Sequence, residues 1–495
     1  MRVLALVFLM FIVGATAQAE WLEASSDHFV IYSDQKEKSV TDFAARLERF
    51  HAAMAWVYKQ EKAKPSPSNR VTIFVVSDRA QVREVVGTNN RYLAGIYIPR
   101  AGGSVAVIPK LKGASKSDLT GETVLYHEYA HHFMQTNTHR AYPRWFVEGF
   151  AEFFAGVRFK PDGSVGLGAP PYYRAMELSY GRPVPIRRLL DFDGGVGSKQ
   201  SYDSFYGQSW VLFHYLQMTP ERAGQLPKYS QLLATGRSAL DAAEAAFGDL
   251  DRLNRDMEAY LRRRNVNILM VGQSSLSIGP VAVRKLRPAE AQMMPVIIES
   301  KVGVGAEEAK RLVVEARKIA ARHPDDPTVQ AALAEAEFDA GNDDAAIDAA
   351  DRAVAIDPQQ INAHLQKGYA LARKVQSGAL PKESWKDVRS QFVRANKVEN
   401  DHPIPLVWFY LGYTKQGELP TKNAIDGLEW ALELAPFDAS TRWLVAQQMI
   451  ADERFGDAVQ TLAPLAYSPH PGEHTDRALE LLQSVQTRLE AAGAE

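Results

Sequence analysis

The 495-residue chain contains no cysteine. No disulfide framework, thiolate nucleophile or sulfur-ligated metal is open to it, and any exported domain must hold together without cross-links. An excess of either charge is also lacking. The 57 Lys and Arg stand against 59 Asp and Glu, so no overall field favours nucleic acid or anionic lipid as a partner. Beyond the first residues there is no apolar run long enough to span a bilayer. Nor is there a glycine loop that would cradle phosphates or a serine nucleophile elbow. What is present is ordinary for a folded protein, with 46% hydrophobic and 23% charged residues. The chain is too long for one core, and about two to four domains are expected.

The start of the chain reads as a secretory signal. Arg2 supplies the positive end, residues 3–13 the apolar stretch, and Ala17-Gln18-Ala19 a small-residue cleavage site before Glu20. The stretch is short for a membrane anchor, so cleavage near Glu20 and residence in a bacterial periplasm or outside the cell are expected.

Hydrophobic periodicity divides the remainder. Residues 28–34 and 71–76 read as strands, 37–58 and 79–86 as helices, and 92–98 and 104–108 as two arms of a hairpin. Residues 20–118 thus form the mixed-sheet part of an α+β domain. Its helical part, 119–268, opens with helices over 120–135 and 144–159, the second entered at Pro143. A Gly/Pro-rich connection at 160–171 leads to further helices, with a loop at 193–199. Residues 269–305 carry no clear periodicity and read as a connector.

From residue 306 to 495 the chain repeats itself. Pro324, Pro358, Pro403, Pro436 and Pro469 close successive units at steps of 34, 45, 33 and 33 residues, the long step holding an insertion around 378–384. Small and aromatic residues recur within units: Leu333, Ala336, Ala346 and Ala353 in one, Leu411-Gly412-Tyr413 and Ala431 in another. This region resembles tetratricopeptide repeats, an all-α solenoid whose concave face typically binds protein segments.

The chemistry is concentrated between residues 127 and 152. His127-Glu128-Tyr129-Ala130-His131 puts two imidazoles four positions apart on one helix face, about 5 to 6 Å between Cβ atoms, where both can reach one ion. Glu128 falls at the rim of that face and can reach a water beside the ion without becoming a ligand. The next helix carries Glu148, seventeen positions past His131, and Glu152 one turn later, both among aromatics. Carboxylates buried there are costly unless a cation meets them. His127, His131 and Glu148 give the three protein ligands of a catalytic zinc site, with a fourth position open.

The two helices resemble those of the gluzincin, or peptidase-MA-like, zinc metallopeptidases, in which Trp-x-x-Glu-Gly-x-Ala follows His-Glu-x-x-His. The resemblance implies a zincin-like α+β fold, Zn2+ held by His127, His131 and Glu148, and Glu128 as general base. It further implies Glu152 as the carboxylate that orients a ligand histidine, and Tyr206, in Tyr206-Gly207-Gln208-Ser209, as donor to the oxyanion. Ser209 stands where the relatives have glycine. No Gly-x-Met-Glu-Asn segment precedes the metal helix, so the grip on a free amino terminus used by zinc aminopeptidases is absent. Instead residues 103–108 occupy the place of the edge strand that pairs with an extended peptide in zincins, or of an ordinary hairpin strand. His132 points away from the ligand face and reads as a surface or orienting residue; His139 and His214 have no partner at metal spacing.

Three functions remain open on these residues. The first is an exported endopeptidase acting on a peptide or protein, with repeats that recruit a protein partner. The second is a zincin-fold scaffold that has lost catalysis, and the third a metal-dependent hydrolase of another bond.

Overall fold

Within β3 (Val71–Val76) every residue but Thr72 is apolar, and the strand is buried on both sides, the pattern of a central parallel strand. Val71, Ile73 and Val75 pack toward α1 (Glu37–Tyr58), whereas Phe74 and Val76 face the opposite layer, because successive side chains leave opposite faces of a sheet. β2 (Phe29–Ser33) and β5 (Val105–Pro109) flank β3 in parallel. β1 (Leu22–Ser25) pairs antiparallel with β2, and β4 (Ile96–Ile98) antiparallel with β5. In this computed structural model the described residues are 20–60, 64–110, 119–138, 140–191, 203–263, 265–468 and 473–492. The expected signal segment, the loop at 193–199, His139 and Pro469 lie outside them.

The layer under α1 holds the helices that carry the candidate site residues. α2 (Arg79–Val86) lies on the other face of the sheet through Val82. α3 (Gly121–Asn137) starts where the Thr120 hydroxyl accepts a hydrogen bond from the Thr123 N–H at 3.0 Å, satisfying one of the donors that a helix start leaves open. α4 (Arg144–Ala155) is buried from Trp145 to its end. The helices α5 (Ala175–Tyr180), α6 (Ile186–Leu190) and α7 (Phe205–Met218) follow, then α8 (Gln225–Ala234), α9 (Ala239–Phe247) and α10 (Leu250–Leu261). α4 packs between α3 and α7. Its closest approach to α7 is at Gly149, where a Cβ would lie 2.5 Å from the Ser209 carbonyl oxygen.

Four expectations need correction. The strand expected over 92–98 spans Ile96–Ile98 alone; residues 92–95 lie outside it, and Tyr92 is 80% exposed. Of the two readings of 104–108, the hairpin strand holds and the edge strand does not: the run is an inner strand paired antiparallel with β4, so the sheet edge nearest α3 is β4. The helix expected to reach 159 stops at Ala155, because Gly156 is pressed against the Ala169 carbonyl. Its last residues instead form β6 (Arg158–Phe159), paired with β7 (Val165–Leu167) inside the stretch read as a connection.

The connector at 269–305 is the fourth. It holds β8 (Leu269–Val271), which extends the small β6–β7 sheet, and β9 (Ala282–Lys285), which joins the main sheet beside β1. The order is β4-β5-β3-β2-β1-β9, so the sheet is not confined to residues 20–118. The same connector ends in α11 (Pro288–Val302), whose Met294 and Ile298 cover the sheet face shared with α2.

α11 also begins the repeat stack, eighteen residues before the expected boundary at 306. Its Ala289, Met293 and Val296 share a core with α12 (Ala306–Arg322), α13 (Pro327–Asp339) and α14 (Asp343–Ile356). The stack continues with α15 (Ile361–Gln376), α16 (Trp385–Val398), α17 (Pro403–Thr414), α18 (Lys422–Leu434), α19 (Ala439–Ala451), α20 (Phe455–Ala466) and α21 (Glu473–Ala492). Each helix packs on its successor. Ala336, Ala346, Ala353 and Ala431, the small residues singled out by the repeat pattern, are wholly buried at these contacts. This is a TPR-like helical region. Pro403 opens α17 as its first residue, where its missing N–H costs nothing. The insertion around 378–384 is a turn and one 3-10 turn between α15 and α16. No described helix is long and apolar enough to cross a membrane.

Candidate metal centre

His127 and His131 extend from successive turns of α3, and their Nε2 atoms face each other at 3.1 Å. Glu148 enters from α4 with one oxygen, Oε2, 3.4 Å from Nε2 of His127 and 3.6 Å from Nε2 of His131. Among the described residues these three form the one group of His, Asp and Glu side chains placed to share a metal ion. The triangle has the size such an ion requires. Ligand bonds of about 2.0 to 2.2 Å at tetrahedral angles separate donors by about 3.3 to 3.6 Å.

Burial makes the same argument energetically. Glu148 is 0% exposed and neither of its oxygens has a hydrogen-bond partner. A carboxylate in that position costs several kcal/mol unless a cation answers it. Burial alone would raise the Glu148 pKa, yet contact with the His127 and His131 rings holds it well below the usual carboxylate range. Burial opposes charge on His127 too, but Glu148, Glu152 and Glu128 outweigh it and lift that imidazole to about 9. The surroundings of Glu148 therefore favour positive charge at His127. Two imidazoles and one carboxylate suit zinc.

Glu152, one turn after Glu148, places Oε1 3.4 Å from Nδ1 of His127. Its other partners were not foreseen. Arg174 donates to Oε1 through Nε at 2.9 Å and Nη2 at 2.6 Å, and the Tyr173 hydroxyl donates to Oε2 at 2.5 Å. Nothing in the sequence marks Tyr173 and Arg174, which lie more than twenty positions from Glu152 in a segment without periodicity.

Tyr206 sits at the start of α7, where Arg174 stacks over its ring at 4.5 Å. The Tyr206 hydroxyl accepts from Nη2 of Arg144 at 3.3 Å. Burial, then the charge of Glu148, raises its pKa above the ordinary phenol value, so the group keeps its proton at neutral pH. Ser209 donates to the Phe205 carbonyl at 2.8 Å and turns its own backbone toward Gly149.

Glu128 and His131 line an open cleft of about 330 Å³ between α3 and β4, together with Ile96, Tyr97, Val124 and His132. Of the two readings of His132, surface or orienting residue, the surface one does not hold: the ring is buried, and the Tyr97 hydroxyl meets its Nδ1 at 2.7 Å. His214 is buried as well, bonded to the Tyr260 hydroxyl at 2.8 Å and to the Asn267 carbonyl at 3.1 Å, a packing role.

No protein-family model matches this chain, and no curated protein matches it. Solved structures match part of it. A thermophilic TPR protein of Thermus thermophilus is 17% identical, over 39% of this chain and 99% of its own, with a TM-score of 0.34. The pilF protein of Pseudomonas aeruginosa is 14% identical over 42% and 90%, also at 0.34. YrrB, described as a TPR protein with an unusual peptide-binding site, is 17% identical over 30% and 70%, at 0.23.

Proposed function

We propose that this protein is a zinc-dependent metallopeptidase of the gluzincin type, an exported endopeptidase whose repeats hold a protein substrate or partner. One observation carries the reading: three donor atoms from two successive buried helices form a triangle of ion-binding size, with Glu128 beside it and Glu152 behind. A bound zinc ion would supply Lewis-acid polarisation of a carbonyl and make water nucleophilic near neutral pH.

The remaining roles belong to the chain. Glu128, in the cleft, takes the proton of the attacking water and passes it to the leaving amine. Tyr206, protonated, donates to the oxygen that gains charge in the transition state. β4, paired on one side only, offers backbone groups to an extended peptide lying along the cleft.

The test joins metal analysis to a peptide-library digest with and without chelator. About one zinc per chain and chelator-sensitive cleavage are expected, and Glu128→Gln should keep the zinc but lose turnover. A Glu128→Gln variant as fast as the parent refutes the mechanism. A parent that binds zinc and cleaves nothing supports the scaffold reading instead, and a chain without zinc removes the metallopeptidase.

A further inference from the structure

The turn between β4 and β5, residues 99–103, is gripped by the repeat region from three directions. The Arg100 guanidinium donates to the Lys301 carbonyl near the end of α11. Gly102, at φ +74°, lies so close to the start of α17 that a Cβ there would fall 2.8 Å from both His402 and Ile404. The Ala101 N–H donates to Oδ2 of Asp438 at 3.0 Å, and Ala101 shares a small buried cluster with Ala435 and Phe437.

Phe437 reaches further, to the metal helix. Its ring centroid lies 4.3 Å from that of His132, the neighbour of ligand His131. His132 is bonded to Tyr97 of β4 and lines the cleft, with Tyr129 stacked at 5.5 Å. One imidazole thus joins α3, the edge strand and a residue three hundred positions later in the chain.

The loop that carries Phe437 is stiff. Arg442, 3% exposed, donates to the Pro436 carbonyl through both Nε and Nη2, and to the Thr461 carbonyl at 3.2 Å. Asp438 caps α19 by accepting from the Thr441 N–H at 2.7 Å. Residues 435–438 therefore move with α19 and α20. By contrast β4 has three residues and one neighbouring strand, too few ladder bonds to fix its own position.

Resting on the metallopeptidase reading, we propose that the repeat region sets the geometry of the substrate cleft. Phe437 is a positioning residue that acts through His132 on β4, while Asp438 pins the adjoining turn. Displacement of the α18–α19 loop by whatever binds the repeats then changes turnover without touching the ion-binding group.

The test uses the full-length chain and a peptide that the parent cleaves. Phe437→Ala should lower kcat/KM at least tenfold, mainly through KM, with zinc content unchanged; Phe437→Tyr should restore most of it. His132→Ala should show a similar loss, and the double variant no further loss, because the two side chains act as one unit. Asp438→Asn keeps the α19 cap but sets an amide against the Ala101 N–H, and should lower kcat/KM at least threefold. Hydrogen exchange at residues 96–98 should quicken in Phe437→Ala whether or not the parent is a peptidase. If the parent cleaves no peptide, the metallopeptidase reading fails, and exchange alone decides the coupling. Unchanged exchange, or Phe437→Ala and Asp438→Asn variants that both match the parent kinetically, would overturn the proposal.

Discussion

Nδ1 of His127 and Oε1 of Glu152 lie 3.4 Å apart, on the ring nitrogen that does not face His131. This contact holds the imidazole so that Nε2 faces Nε2 of His131 and Oε2 of Glu148. Because Arg174 and Tyr173 hold Glu152 in turn, the orientation is anchored in the fold. Glu152→Gln should weaken zinc binding about 10- to 100-fold. Competition against a chromophoric chelator measures this, and an unchanged affinity would assign Glu152 to packing alone.

The Tyr206 phenol keeps its proton at neutral pH and has Arg144 as neighbour. Tyr206→Phe should lower kcat about 10²- to 10³-fold with little change in KM, as loss of one transition-state donor does elsewhere. Steady-state kinetics on the parent's best peptide decides the point.

Gly149 is where α4 and α7 nearly touch. Gly149→Ala would force a methyl against the Ser209 carbonyl and push apart the helices that position Glu148 and Tyr206. A loss of about 1 to 3 kcal/mol in urea unfolding is expected, together with weaker zinc binding. A variant as stable as the parent would show that this contact yields easily.

Buried imidazoles make stability depend on pH: burial lowers His51 and His132 as well as His214 and His402. Burial pushes His214 and His402 each down to about 4, Glu399 opposing the shift at His402. Neutral His402 is also needed as acceptor for the Ile404 N–H at the start of α17. Both folded pKa values lie below the unfolded value, so the unfolded chain takes up protons first as pH falls. The stabilisation is complete above about pH 6.5 and is lost progressively toward pH 4. The combined slope from His214 and His402 is up to about 3 kcal/mol per pH unit. Urea midpoints should decline steadily from pH 7 to pH 5; a flat profile would mean that these rings are hydrated.

The grouping of His127, His131 and Glu148 in the candidate site was legible because its signals are local. Four-residue spacing on a helix is a matter of helix geometry, and a carboxylate inside an aromatic helix is conspicuous wherever it stands. β3, α1 and α2 have the bounds expected from their apolar patterns. What escaped was non-local. Strand order decides whether residues 96–98 or 104–108 form the edge, and no window of sequence contains it. β8 and β9 span three and four residues, too short to show alternation, and their partners lie more than a hundred positions away. The burial of His132 depends on Phe437, and the anchoring of Glu152 on Arg174; neither pair has a shared motif.

The pairing of β9 with β1 joins residues 22–25 to residues 282–285. During synthesis β1 must wait until residues 282–285 have emerged before its outer side is covered. A fragment cut at residue 268 would leave that margin bare, a ready template for aggregation. Any attempt to express the sheet-bearing portion separately should therefore carry the chain past Lys285.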